Sequence, residues 1–125
     1  MKRRVLLVDD EPDVRAVARV CLERVGGWEV VEATSGAEAV VAAQDGGFDA
    51  VLLDVMMPGL DGPGTFLRLQ ADARTADLPV VLLTARVERP DRERWLELGI
   101  RGVLAKPFDP MRLSADIADL LGWNT

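Results

Sequence analysis

Five short apolar runs recur along the chain with helical patterns between them, and this alternation is what most restricts its fold. Arg4–Val8, Glu29–Glu32, Ala50–Leu53, Val80–Leu83 and Gly102–Ala105 read as strands. Val5-Leu6-Leu7-Val8 and Val51-Leu52-Leu53 lack the polar alternation of a half-solvated strand, so they suit a sheet covered on both faces. Between the runs lie segments with helix punctuation. Pro12 can open a helix that runs to about Val25 and stops at Gly26-Gly27. Ser35-Gly36-Ala37-Glu38 has capping-box spacing for a second helix, ending before Gly46-Gly47. A third runs from Pro63 to Ala71 and is weakened locally by Gly64; a fourth runs from about Asp91 to Gly99. Asp109-Pro110 is expected to cap the last helix, with Leu113, Ile117, Leu120 and Leu121 as its core stripe.

Strand alternating with helix from end to end predicts an α/β domain with a parallel sheet. Right-handed crossovers leave few doubly wound arrangements, and the flavodoxin-like five-stranded order 2-1-3-4-5, with helices on both faces, is the expectation. That order sets the first and third strands side by side. Both end in acids: the first at Asp9, Asp10 and Glu11, the third at Asp54 before the turn Met57-Pro58-Gly59. Parallel strands deliver such ends to one rim, where ligands bind. The expected product is a cation site with a carboxylate nucleophile beside it. Glu11, just before Pro12, is expected to serve the helix N-terminus instead.

Composition removes several chemistries. The 125 residues include no histidine and a single cysteine, Cys21. Ser-His-Asp hydrolysis, Cys-His proteolysis, histidine-ligated metals and internal disulfides are therefore excluded. Cys21 falls on the stripe Val14, Val17, Ala18, Cys21, Val25 and reads as a buried small hydrophobe. A formal net charge of -6 with no basic block argues against direct nucleic-acid binding. No apolar stretch approaches the roughly twenty residues needed to span a bilayer, and no signal-peptide pattern opens the chain. The expectation is a cytoplasmic protein, one domain over residues 1–125, with no linker and no output domain.

With Asp9-Asp10, Asp54 and its Met57-Pro58-Gly59 turn, Leu83-Thr84-Ala85, and Lys106-Pro107-Phe108 in this order on these elements, the chain resembles the receiver domains of two-component response regulators. The resemblance implies a phosphoacceptor switch. Asp54 would take a phosphoryl group from a partner's phosphohistidine, and Thr84 and Lys106 would contact the phosphoryl oxygens. Mg²⁺ would be held by Asp9, Asp10, Asp54 and the backbone carbonyl of Met56. The implied donor is a histidine kinase or histidine phosphotransfer protein, and the downstream target is an unknown protein reached by direct contact. These roles are chemically coherent, because Mg²⁺ takes carboxylates and phosphate oxygens and a carboxylate can attack phosphorus. The resemblance also implies a cis peptide between Lys106 and Pro107. A monomer or a phosphorylation-dependent dimer is expected, with Arg92, Arg94, Arg112 and Asp116 either at a symmetric interface or simply solvated.

Departures from the family pattern shape the remaining expectations. Members often carry an aromatic residue three positions before the lysine, where this chain has Val103. Switching is therefore expected to rely on closure of the loop Ala85–Pro90. Met56 and Arg86, two residues after Asp54 and Thr84, are expected to shield an acyl phosphate and slow its hydrolysis. The rival reading is a phosphorylation-independent docking module on the same fold. A haloacid-dehalogenase-type phosphohydrolase needs Asp-x-Asp after the first strand, which Asp9-Asp10-Glu11 does not supply. A flavodoxin needs a phosphate cradle where this chain has acids. Trp28 is expected to be partly buried, Trp95 to serve helix packing or a partner surface equally well, and Trp123 to lie near an open terminus.

Overall fold

A computed structural model describes residues 2–85 and 88–123. Its order is β1 (Arg4–Val8), α1 (Pro12–Arg24), β2 (Glu29–Ala33), α2 (Gly36–Gln44), β3 (Ala50–Asp54), α3 (Gly62–Ala71), β4 (Val80–Thr84), α4 (Arg89–Leu98), β5 (Gly102–Ala105) and α5 (Leu113–Leu121). The strands form a single parallel sheet in the order β2-β1-β3-β4-β5, as the crossover argument requires. Alternate strand residues feed two cores. Leu6, Val8, Val51, Leu53 and Leu82 pack with Ala39, Ala43, Phe66, Leu69 and Trp95 of α2, α3 and α4. Val5, Leu7, Leu52, Val81 and Leu83 pack with Ala18, Cys21, Leu22, Leu113 and Ile117 of α1 and α5. Cover on both faces is why β1, β3 and β4 are apolar over Val5–Val8, Ala50–Leu53 and Val80–Leu83, while the edge strand β2 carries Glu29 and Glu32.

Local chemistry fixes where the elements start. Ser35 caps α2 by accepting from the Glu38 amide at 3.1 Å. The Glu38 carboxylate reaches back one residue further than a capping box requires, accepting from the Thr34 amide and hydroxyl. Asp61 caps α3 through the Gly64 amide at 2.8 Å. Two helices differ from the sequence reading. Helix α4 begins at Arg89 because Pro90 fits its first turn, and the left-handed Gly99 ends it. Helix α5 begins at Leu113, not at the expected Asp109-Pro110 cap. The Asp109 carboxylate accepts from the Met111 amide and its carbonyl from the Arg112 amide, so that segment closes as a separate turn.

The strands also run further than the apolar pattern suggested. Asp54 pairs in register with Leu83, and Thr84 with Ala105, so polar residues end β3 and β4 inside the ladder. The hydrophobic signal stops one residue early because the last strand position faces the rim instead of the core. Val17 and Val25 on the α1 stripe are about half exposed, while Cys21 is buried. Trp28 is buried and meets Trp123 edge-to-face at 5.2 Å, with Arg3 over the Trp123 ring. Trp95 is buried within the α2–α4 core, which settles its role as packing.

Candidate functional site

The rim at the ends of β1, β3, β4 and β5 gathers the charged residues that the sequence places after each apolar run. Val8 pairs with Leu53, so the next residue of each strand brings Asp9 alongside Asp54. Both are almost fully buried, at 1% and 3% exposure. Carboxylate oxygens of Asp9, Asp10, Glu11 and Asp54 lie within 4.8 Å of one another. Lys106, directly after β5, turns its ammonium into this group. Its Nζ lies 2.9 Å from Asp9 Oδ2, 3.2 Å from Asp54 Oδ1 and 3.5 Å from Glu11 Oε1. The backbone holds it there, since the Lys106 amide donates to the Thr84 carbonyl at 2.8 Å; the bond to Pro107 is cis, as expected.

Three buried or half-buried carboxylates against one ammonium leave the site short of positive charge. Burial, then the negative charge of Asp9, pushes the Asp54 carboxyl up to about 6, with Lys106 pulling the other way. Burial alone would lower Lys106, but hydrogen bonding to Asp9 and the charges of Asp54 and Asp9 raise it. Two buried carboxylate oxygens, Asp10 Oδ1 and Asp54 Oδ2, have no hydrogen-bond partner among the described residues. A buried anion without partners is costly, so these oxygens mark where a cation belongs. The donors are all hard oxygens, and the sequence has no histidine, which suits Mg²⁺ or Ca²⁺ over softer metals.

The loop after Asp54 closes tightly. The Gly62 amide donates to the Val55 carbonyl at 2.9 Å. A Cβ on Gly62 would lie 2.5 Å from the Asp54 carbonyl oxygen, so only glycine lets α3 begin this close to the acceptor strand. Met57 is buried, while Met56 is 74% exposed at the mouth of the site. Arg86 and Val87, two residues of the loop expected to close, lie outside the described residues. Val103 is buried in the α2–α4 core.

The structure thus brings Asp9, Asp10, Asp54 and Lys106 into one cluster, with Thr84 buried at the end of the adjacent strand. Glu11 corrects the sequence reading. It occupies the N-cap position of α1 but makes no side-chain cap, and its carboxylate faces Lys106 instead. Sequence reasoning also missed Arg15, whose Nη1 donates to the Asp9 carbonyl at 2.8 Å and whose Nε donates to Glu32 at 2.8 Å. Its only signal was a position one helical turn after the acids.

Comparison with known proteins gives consistent results. The family model for the response regulator receiver domain matches residues 5–118. The phosphate regulon transcriptional regulatory protein PhoB of Klebsiella pneumoniae is 42% identical over 117 residues, covering 94% of this chain and 51% of that protein. The chain spans about half the length of the curated relatives it matches. Among solved structures, the chemotaxis protein CheY4 of Vibrio cholerae superposes with a TM-score of 0.88 at 28% identity, over 96% of this chain and 99% of that one. The receiver domain of the sensor histidine kinase PA1611 of Pseudomonas aeruginosa has a TM-score of 0.85 at 31% identity, over 98% of this chain and 99% of that one. That structure is described with a magnesium ion coordinated in its active site cleft.

Proposed function

The chain belongs to the response regulator receiver domain family of two-component systems, and from that premise we propose that Asp54 is its phosphoacceptor. The observation that carries the reading is the pair of unpartnered, buried oxygens, Asp10 Oδ1 and Asp54 Oδ2, inside a cluster that already holds Lys106. A scaffold used only for docking gains nothing from burying like charges at this cost.

An Asp54 oxygen attacks the phosphorus of a phosphohistidine on a histidine kinase or phosphotransfer protein. The new P–O bond forms as the P–N bond breaks, and the nitrogen keeps the electron pair. The resulting acyl phosphate alters the contact surface offered to a downstream protein. Lys106 lies close enough to Asp54 to follow the charge onto the phosphoryl oxygens, and Thr84 stands at the end of the next strand to donate its hydroxyl. Asp9, Asp10, Asp54 and the Met56 carbonyl would hold Mg²⁺. When bound, the ion neutralises the carboxylates and the charge that develops on the transferring group. The chain thereby catalyses its own phosphorylation and slow hydrolysis while acting as a signalling module. Among the described residues no helix is long and apolar enough to cross a membrane, and a cytoplasmic site of action fits the proposed donor. Arg94 pairs with Asp91 on α4, and Arg112, the residue before α5, pairs with Asp116 on it, all through exposed side chains, which supports the solvated reading of those charges.

Beryllofluoride, which mimics an aspartyl phosphate, tests the assignment. With Mg²⁺ present, fluorine NMR is expected to show a bound species on the wild-type protein and none on Asp54→Asn. A bound species on both would move the acceptor elsewhere. The mouth residue Met56 gives a second expectation. Its thioether is a poor hydrogen-bonding group, whereas an asparagine amide there can hold a water in line with phosphorus. Met56→Asn should shorten the acyl-phosphate lifetime by about threefold or more, a modest effect of positioning the attacking water, followed by phosphoprotein decay. An equal or longer lifetime in the variant would refute the shielding role.

A further inference from the structure

We infer that Arg15 is a positioning residue, which sets the direction of the Asp9 and Asp10 carboxylates by clamping the peptide between them against β2. This rests on the cation-binding reading of the site given above. The Asp9 carbonyl and the Asp10 amide belong to one rigid peptide plane. Whatever fixes that carbonyl fixes the backbone torsions on either side, and with them the directions of both side chains. Arg15 Nη1 donates to this carbonyl at 2.8 Å, and its Nε donates to Glu32 Oε1 on β2 at 2.8 Å. Two further restraints flank this plane, one on each side. The Asp9 amide donates to the Ala33 carbonyl at 3.2 Å, and its Oδ1 accepts from the Glu11 amide at 2.9 Å. Asp10, which carries one of the unpartnered oxygens, sits between the Glu11 amide and the clamped carbonyl, so the Arg15 contact sets the peptide plane that precedes it.

A plain tie between α1 and β2 does not account for Arg15. Arg19, one turn along the same helix, already pairs with the other oxygen of Glu32 at 2.6 Å and with Glu23 at 3.3 Å. The contact that Arg19 does not duplicate is the one to Asp9. The guanidinium fork suits this task because its donors lie in one plane, so a single side chain can hold a carbonyl and a carboxylate together. Arg15 is also the better sheltered of the two, at 16% side-chain exposure against 41% for Arg19.

The sign of the effect separates positioning from simple electrostatics. Removing a cation beside an acidic cluster should tighten Mg²⁺ binding if charge alone matters. Removing a clamp should weaken it, and losses of outer supporting contacts commonly cost about tenfold or more in metal affinity. Mg²⁺ is therefore titrated calorimetrically into wild type, Arg15→Gln, Arg15→Lys and Arg19→Gln, each held well below its melting midpoint. Arg15→Gln is expected to weaken binding about tenfold, and Arg15→Lys, which keeps the charge but loses the fork, to weaken it similarly. Arg19→Gln should stay within about twofold of wild type, since it leaves the Asp9 contact in place. Unchanged or tighter binding by the Arg15 variants, or an equal loss in Arg19→Gln, would overturn the inference while leaving the cation site standing. Failure of the wild-type protein to bind Mg²⁺ would remove the site itself and the inference with it.

Discussion

Replacing Asp54 with asparagine makes the metal-free protein more stable at neutral pH and leaves its stability near pH 4 unchanged. Asp54 is raised from the ordinary carboxylate range to about 6, by burial first and by Asp9 second. An acid raised by folding holds its proton more tightly in the native state, so the native state is favoured where the group is protonated. That contribution is complete below about 3.9, the unfolded value, and is lost as pH rises through about 6. Above that window the wild-type chain carries a buried, ionised acceptor. Asparagine keeps the shape without the charge, and Lys106 retains Asp9 at 2.9 Å as a partner. The gain at pH 7.5 in chelator should be about 1–3 kcal/mol, read from urea unfolding. Saturating Mg²⁺ should shrink the difference, because an ion that binds the native site stabilises wild type more than the variant. A variant equal to or less stable than wild type at pH 7.5 without metal would contradict the account.

Lys106→Met acts in the opposite sense and is the more damaging change. The Lys106 side chain is 12% exposed and its ammonium faces Asp9, Asp54 and Glu11 together. Methionine fills similar space but leaves two buried carboxylates without their cation, and removing one member of a buried ion pair typically costs about 3–5 kcal/mol. The lysine is raised by its partners, so its contribution is fully present below about 10.4 and fades only in strong alkali. At pH 8 without metal the variant should lose about 3 kcal/mol or more. The loss should shrink towards pH 5, where Asp54 takes up a proton and one of the repelling charges disappears. A pH-independent loss would mean that Lys106 acts through packing of its stem and not through charge.

These opposite effects arise from features that differ in how legible they are in the sequence. The apolar runs gave the strands and their order, because burial on both faces leaves a continuous hydrophobic record and crossover handedness does the rest. Asp9, Asp10 and Asp54 were visible as acids that close such runs, and adjacency of β1 and β3 brings them together. The start of α5 was misread, because Asp109-Pro110 is as good a turn as it is a helix cap and only the fold chooses. Glu11 was assigned to the helix because proximity in sequence outweighed a lysine 95 residues away. Arg15 left only its place one helical turn after the acids, since a contact to a backbone carbonyl carries no signature in the identity of its partner. The Trp28–Trp123 contact was hidden because it joins the residue before β2 to the segment after α5.

The measurement that bears most directly on the central claim is intact mass after incubation with acetyl phosphate and Mg²⁺, for wild type and Asp54→Asn side by side. The account predicts one phosphoryl adduct on the wild-type chain, stable to acid and labile to base as an acyl phosphate is, and none on the variant. An adduct on both proteins, or none on wild type even when phosphohistidine donors are supplied, would contradict it.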